Sequence, residues 1–295
     1  MKKRMMLAIF GLFLVYGISA AEPRDLGEIR TAIEKSSLPG EGKAALFKRA
    51  SAAVGTGIPA ADVAVIIKRG VSKGSAGKAL EDALGAAITA KEKGLPVRPV
   101  LDRIEQGLAK GVPPERIAAA TKQLVAKLST ADAIVNNLGK GGLKAGEQSE
   151  KGPAVHTVAR ALEKSIPEDA INKLGQKSIA QGASLSRLSA TIDTMTFFVE
   201  MGMNLDRASE LVMKAMNKGY SEGEMFMMQK EMSDMIRDKS NMNDIMKNMD
   251  MRMNSGTMGS GMGGKGMGGA PTSPGTHGMG GSGMGGSGMG GGRRH

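Results

Sequence analysis

The stretch KGLPVRPVLDRIEQGLAKGVPPERI, residues 93–117, holds two turns and the segment between them. Both turns read Lys-Gly-apolar-Pro: Lys93-Gly94-Leu95-Pro96 and Lys110-Gly111-Val112-Pro113. Glycine ends a helix by taking the left-handed position after the last turn at no steric cost, and the apolar residue that follows packs back on that turn. A lysine just before the glycine suits the negative end of the helix dipole. Proline then sits where a new helix starts and no N–H is needed. The segment between the turns therefore reads as one short helix, and the turns as its punctuation.

The same punctuation recurs along the chain. KGSAGKA at 73–79 and KGYSEGE at 218–224 are further copies, and GIPAAD at 57–62 and SIPEDA at 165–170 are relatives. With the glycine (or Ser165 in its place) as marker, the positions are 57, 74, 94 and 111, then 165, 182, 202 and 219. The spacings are 17, 20 and 17 in both sets, so the second set repeats the first at one constant offset. One unit is thus 37 residues, and Leu38-Pro39 extends the series backwards. Apolar positions follow the marker: Ile58, Val63, Ile66, Val71, Leu80 and Leu84 align with Ile166, Ile171, Leu174, Ile179, Leu188 and Ile192. Pro59, Pro167, Ser184, Asn204 and Ser221 are residues that open helices at equivalent places. Gly70, Gly107, Ser178 and Ala215, each four before a marker, are small enough to let neighbouring helices approach closely.

A period of 37 belongs to stacked helical hairpins. The tetratricopeptide pattern wants an early Trp and Tyr in each unit, which this chain lacks. The expectation is an all-α fold: an α-solenoid of 37-residue hairpins, each stacked on its neighbour. Residues 22–138 form the N-terminal helical repeats and 154–222 the C-terminal ones. Between them, 139–153 is rich in glycine and reads as a linker, with helix resuming at Ala154 after Pro153.

The ends are of different character. Lys2, Lys3 and Arg4 precede the apolar run Met5–Tyr16, and Ser19-Ala20-Ala21 supplies small residues for cleavage. Residues 1–21 read as a secretory signal peptide, and the run is short of the ~20 apolar residues a membrane span needs. The expected address is exported, periplasmic in a bacterium, with no transmembrane segment after cleavage. The chain has no cysteine, so it forms no disulfide there. The formal charge of +11 becomes +8 without Lys2, Lys3 and Arg4. After the signal, Phe47, Phe197, Phe198, Phe226 and Tyr220 are the only aromatics. So few stacking platforms, in an exported chain, argue against nucleic acid as a partner.

Residues 225–253 hold ten methionines, whereas none occurs between Met6 and Met195. On one continuous helix over 223–253, Met225, Met232, Met246 and Met253 fall at one heptad position and Met228, Met235, Met242 and Met249 at the other. Lys239 is the one exception in this seam. Its first half fits a last packed helix of the array; the second half is long enough to leave it and to need a partner. Methionine is unbranched and flexible and suits an adaptable contact surface, so these eight residues are candidates for binding a protein or peptide, or a second copy of the chain. Thioethers are also soft ligands that select Cu(I). Met242, Met246, Met249 and Met253 converge on one helical face, and His277 and Met279 stand together further on, so this set is the candidate copper site. Exposed methionine can serve as an oxidant sink as well.

From 254 to 295 the chain is glycine and methionine with little else, and is expected to be disordered. This tail resembles the Gly-Gly-Met tails of bacterial chaperonins. The Met-rich helix followed by Gly-Met residues is similar to the signal-sequence-binding end of signal recognition particle proteins. Both resemblances cover only 225–295, and what they imply is contact with apolar peptide without strict sequence choice.

Catalytic signatures do not emerge. GSAGKAL at 74–80 departs from a phosphate loop, which needs Ser or Thr after the lysine where this chain has Ala79. His156 stands alone, and the acid pairs Glu81-Asp82 and Glu168-Asp169 are adjacent, so they diverge on a helix. The sequence reads as a non-enzymatic scaffold without a cofactor, copper being the alternative.

Overall fold

A computed structural model describes residues 24–72, 77–144, 148–238 and 241–255. The expected signal peptide, the tail from 256 on, Gly74, Lys239, His277 and Met279 lie outside the described residues. The fold is all-α, with twelve helices and no strand among the described residues. They are α1 (Arg24–Glu34), α2 (Gly40–Gly55), α3 (Ala60–Ser72), α4 (Gly77–Glu92), α5 (Arg98–Ala109) and α6 (Pro114–Lys140). Then come α7 (Gln148–Glu163), α8 (Glu168–Ala180), α9 (Leu185–Glu200), α10 (Leu205–Asn217), α11 (Glu222–Arg237) and α12 (Met242–Ser255). Among the described residues no helix is long and apolar enough to cross a membrane.

The turns have the chemistry that their residues dictate. Gly57, Gly94, Gly111, Gly182, Gly202 and Gly219 all have φ between +62° and +94°, and Ser165 stands at +59°. In each turn the N–H of the following residue donates to a carbonyl five residues back, as from Leu95 to Ala90 at 2.9 Å and from Val112 to Gly107 at 2.9 Å. That residue is buried at Ile58, Leu95, Ile166, Met203 and Tyr220, which pins the turn to the core. Ser184 and Asn204 accept from Arg187 N–H at 3.2 Å and Arg207 N–H at 2.9 Å, and so cap α9 and α10. Ser221 and Glu224 cap α11 reciprocally.

Helices two apart lie side by side: α2 on α4, α4 on α6, α7 on α9 and α9 on α11, with α1 on α3 and α3 on α5 along the other side. Their starts are regular. α2, α4 and α6 begin at 40, 77 and 114, and α7, α9 and α11 at 148, 185 and 222, so the steps are 37, 37, 34, 37 and 37. Polar side chains tie neighbours at a sequence separation of 36: Arg98 to Asp62 at 3.2 Å, Ser186 to Glu222 at 2.6 Å and Lys214 to Asp250 at 2.6 Å. Between α9 and α11 both Ser186–Glu222 and Asp193–Gln229 keep this separation, so these two helices run parallel.

The expected linker over 139–153 is trimmed at both ends, since α6 runs to Lys140 and α7 starts at Gln148. α6 is continuous for 27 residues, about 40 Å, because no glycine interrupts it between Gly111 and Gly139. Ser129 fits by returning its hydroxyl to the Val125 carbonyl at 3.0 Å. α7 begins at Gln148, and Pro153 lies inside it near the start, where its missing N–H removes one bond. Leu143 is buried, and the Lys144 carbonyl accepts from Leu185 N–H at 3.1 Å, so the chain is held to the fold as it leaves α6. Lys127 donates to the Leu162 carbonyl at 2.5 Å and Lys151 pairs with Asp132 at 2.8 Å. One partner number falls as the other rises, so α6 and α7 are antiparallel. α6 thus closes the first group of helices, on α4 and α5, and opens the second, on α7 and α8.

Candidate functional site

The C-terminal methionines occupy two helices, not one. α11 ends at Arg237 with Asp238 as its cap, and α12 starts at Met242. The Asn241 side chain accepts from Asp244 N–H at 2.9 Å, and its carbonyl accepts from Ile245 N–H at 3.0 Å, which nucleates the new helix. The continuous 223–253 helix is therefore corrected to two helices that pack on each other. The signal was in the sequence: the step of 20 that leads from 182 to 202 leads from 219 to 239, which is Lys239. The exception in the heptad thus falls at the next marker position of the sequence series.

This folding back decides where the candidate binding residues stand. Met225, Met228 and Met232 of α11 and Met249 and Met253 of α12 are fully buried. Met235, Met242 and Met246 are partly buried and pack against the same core. Ion pairs from Arg252 to Glu231 at 3.2 Å and from Lys214 to Asp250 hold α12 against α11 and α10. With Met195, Met203 and Met216, also buried, the methionines form the core of the last helices instead of an open seam. Their apolar thioether chains obey the same burial rule that places Ile and Leu inside the earlier helices. The candidate copper residues Met242, Met246, Met249 and Met253 do share one face of α12, and that face looks inward. What stays open at this end is Phe226, 63% exposed, and Met251, 52% exposed.

His156 is exposed on α7. Tyr220 is buried in the turn before α11, and burial pushes its pKa above the ordinary phenol value.

An open groove lies elsewhere and was not singled out from the sequence. A groove of about 920 Å³ runs between α4 and α6, reached by Arg49 from α2. The stripe Lys78, Asp82, Gly85 and Thr89 on α4, with Lys93 just past its end, recurs every three to four residues and so shares one face, the one turned from the core. Glu115, Ala119 and Lys122 supply the facing stripe on α6. Lys78 bonds Asp82 at 2.7 Å, which raises its pKa above the ordinary lysine value, and nearby Arg49 pulls the other way. The Arg49 guanidinium lies over Gly85: a Cβ there would be in ordinary contact with Arg49 Cζ, at 3.8 Å. The signal that could have found this groove is the run of Gly and Ala on two neighbouring helical faces, flanked by cations.

No family model matches the chain, and neither a curated protein nor a solved structure matches it.

Proposed function

We propose that this protein is an exported, non-enzymatic α-solenoid scaffold that binds protein or peptide partners on the surface of its helix stack. The carrying observation is the groove of about 920 Å³ that crosses α2, α4 and α6, open to solvent and large enough for a peptide segment. The near-constant step of 37 between helix starts and the ties at a separation of 36 support the solenoid reading. In this reading the Met-rich segment closes the end of the stack, and its contact with apolar partners is confined to the open flank at Phe226 and Met251. The apolar run Met5–Tyr16 behind three cations supports export.

A photo-crosslinking residue at Ala119, Phe226 or Asp169 of the full chain, expressed with its own leader, tests this. Discrete adducts from Ala119 or Phe226, absent from Asp169 on the exposed face of α8, support the scaffold. Identical adducts from all three positions, or none from any, refute it.

Cu(I) binding is the second reading. Its support is that Met242, Met246, Met249 and Met253 share one face of α12, with Met242 and Met246 only partly buried. Thioether ligation predicts that the full chain takes Cu(I) from a competing chelator, and that a Met→Leu variant at all four positions loses this ability.

A further inference from the structure

The groove between α4 and α6 carries more positive charge than its own acids answer. Arg49, Lys78, Lys93 and Lys122 line it against Asp82 and Glu115. Lys78 and Asp82 neutralise each other at 2.7 Å. Among the described residues no carboxylate stands within ion-pair distance of Arg49, Lys93 or Lys122.

The chain contains its own comparison. The constant offset between the two sets of turns carries α4 and α6 onto α9 and α11, which begin at 185 and 222 against 77 and 114. The counterpart of Gly85 is Asp193. Asp193 holds Arg160 of the neighbouring α7 at 3.2 Å and accepts from Gln229 of α11 at 3.1 Å. There the arginine that reaches across from the preceding helix finds its anion inside the fold. In the first group the position that matches Arg160 is Ala52, and the arginine that reaches across is Arg49, one turn earlier on α2; what lies under its guanidinium is Gly85. The counterparts of Thr89, Lys93 and Ala118 are Phe197, Met201 and Phe226, so the later face is the more apolar one, and of the cations Lys93 is lost there while Lys122 keeps a lysine counterpart in Lys230.

We propose that the α2–α4–α6 groove is the docking site for an acidic segment of a partner polypeptide, whose carboxylates take up Arg49, Lys93 and Lys122. From Lys78 to Lys93 the stripe runs about 22 Å along the helix, so the matching segment spaces its acids over a similar length. The floor of Gly85, Ala86, Ala118 and Ala119 lets its backbone come close. The chain's own residues 256–295 do not fit, because their charged side chains are Lys265, Arg293 and Arg294. This inference rests on the scaffold reading and adds the chemistry of the partner.

The test is fluorescence anisotropy of a labelled peptide long enough to cover the stripe, titrated with the full chain lacking its leader. The peptide is alanine-rich with a glutamate at every fourth position. A glutamine version of the peptide, heparin and phosphatidylglycerol vesicles serve as comparison ligands. The triple variant Arg49→Gln/Lys93→Gln/Lys122→Gln removes the groove cations, and Lys110→Gln/Lys140→Gln/Lys218→Gln removes equal charge from exposed sites outside it. All six positions are at the surface, and a melting curve for each variant confirms folding. The expected result is binding of the glutamate peptide, weakened about tenfold or more by the groove variant and less than about threefold by the control. Equal losses in both variants, or equal binding of the glutamine peptide, overturn the proposal. Binding of heparin or vesicles that depends on the groove, with none of the glutamate peptide, also overturns it in favour of another polyanion. If the glutamate peptide fails while Ala119 still crosslinks a partner in cells, the acidic docking falls and the scaffold stands.

Discussion

A Cβ built on Gly107 of α5 would stand 2.7 Å from Cγ1 of Ile117 on α6. The same closeness recurs one unit earlier, where a Cβ on Gly70 would meet Leu80 Cδ2 at 2.6 Å. Each glycine is therefore the seat of a branched side chain from the next helix. Alanine is worth up to about 1 kcal/mol over glycine in a helix interior, so propensity alone favours Gly107→Ala. The clash decides otherwise. Ile117 is buried and stiff at χ1, and overpacking a core of this kind costs about 1–3 kcal/mol. Gly107→Ala is expected to lower the urea midpoint. Gly139→Ala, where nothing lies within 4 Å of the added methyl, is expected to leave it unchanged or raise it.

Ser165 at φ +59° occupies a turn position that is glycine at 57, 94, 111, 182, 202 and 219. A left-handed conformation costs a residue with a Cβ about 1–2 kcal/mol, part of which glycine returns through its larger unfolded-state entropy. Ser165→Gly is expected to stabilise by about 0.5–1 kcal/mol, read from thermal melting. Gly111→Ala is expected to destabilise by about 1–2 kcal/mol, the strain of a Cβ at positive φ. Unchanged melting in both variants would mean that these turns relax without cost.

Much of this architecture was legible because turn chemistry is local. Gly-apolar-Pro marks a stop, a pin and a start within one short turn, and helix caps such as Ser184 and Asn204 act on the first turn they open. The long-range errors have one source. Periodicity says which residues share a face but not whether the chain bends between them. The heptad of methionines continues arithmetically through Lys239, and only the step of 20 from Gly219 marks a boundary between α11 and α12. Likewise Pro153 and the glycines of 139–153 read as a break, while α6 continues to Lys140 and α7 absorbs the proline near its start. The groove was hidden because its charges come from three helices, Arg49, Lys78 and Lys122, that only the tertiary fold brings together.

The burial of α11 and α12 makes them part of the stack's stability. Met225, Met228 and Met232 are fully buried, and each such side chain contributes about 1.5–3 kcal/mol. Ending the chain after Gly219 is expected to lower urea stability substantially and to expose the neighbouring face of α9, seen as binding of an apolar dye. A truncated chain that unfolds at the same midpoint as the full one would show that these helices do not pack on the rest.

Oxidation maps the same arrangement residue by residue. Thioether oxidation needs access, so it follows exposure. Met251 is 52% exposed and Met201 38%, whereas Met195, Met225, Met228, Met232, Met249 and Met253 are fully buried. Brief treatment with hydrogen peroxide, followed by peptide mass spectrometry, is expected to convert Met251 and Met201 to the sulfoxide well before the other six. In concentrated urea the eight are expected to react alike, since thioether chemistry is the same at each. The contrast is sharpest within α12, where Met249 and Met251 are near neighbours in sequence and lie on opposite faces. A seam open to partners would place Met249 among the first to react; the packed core places it among the last.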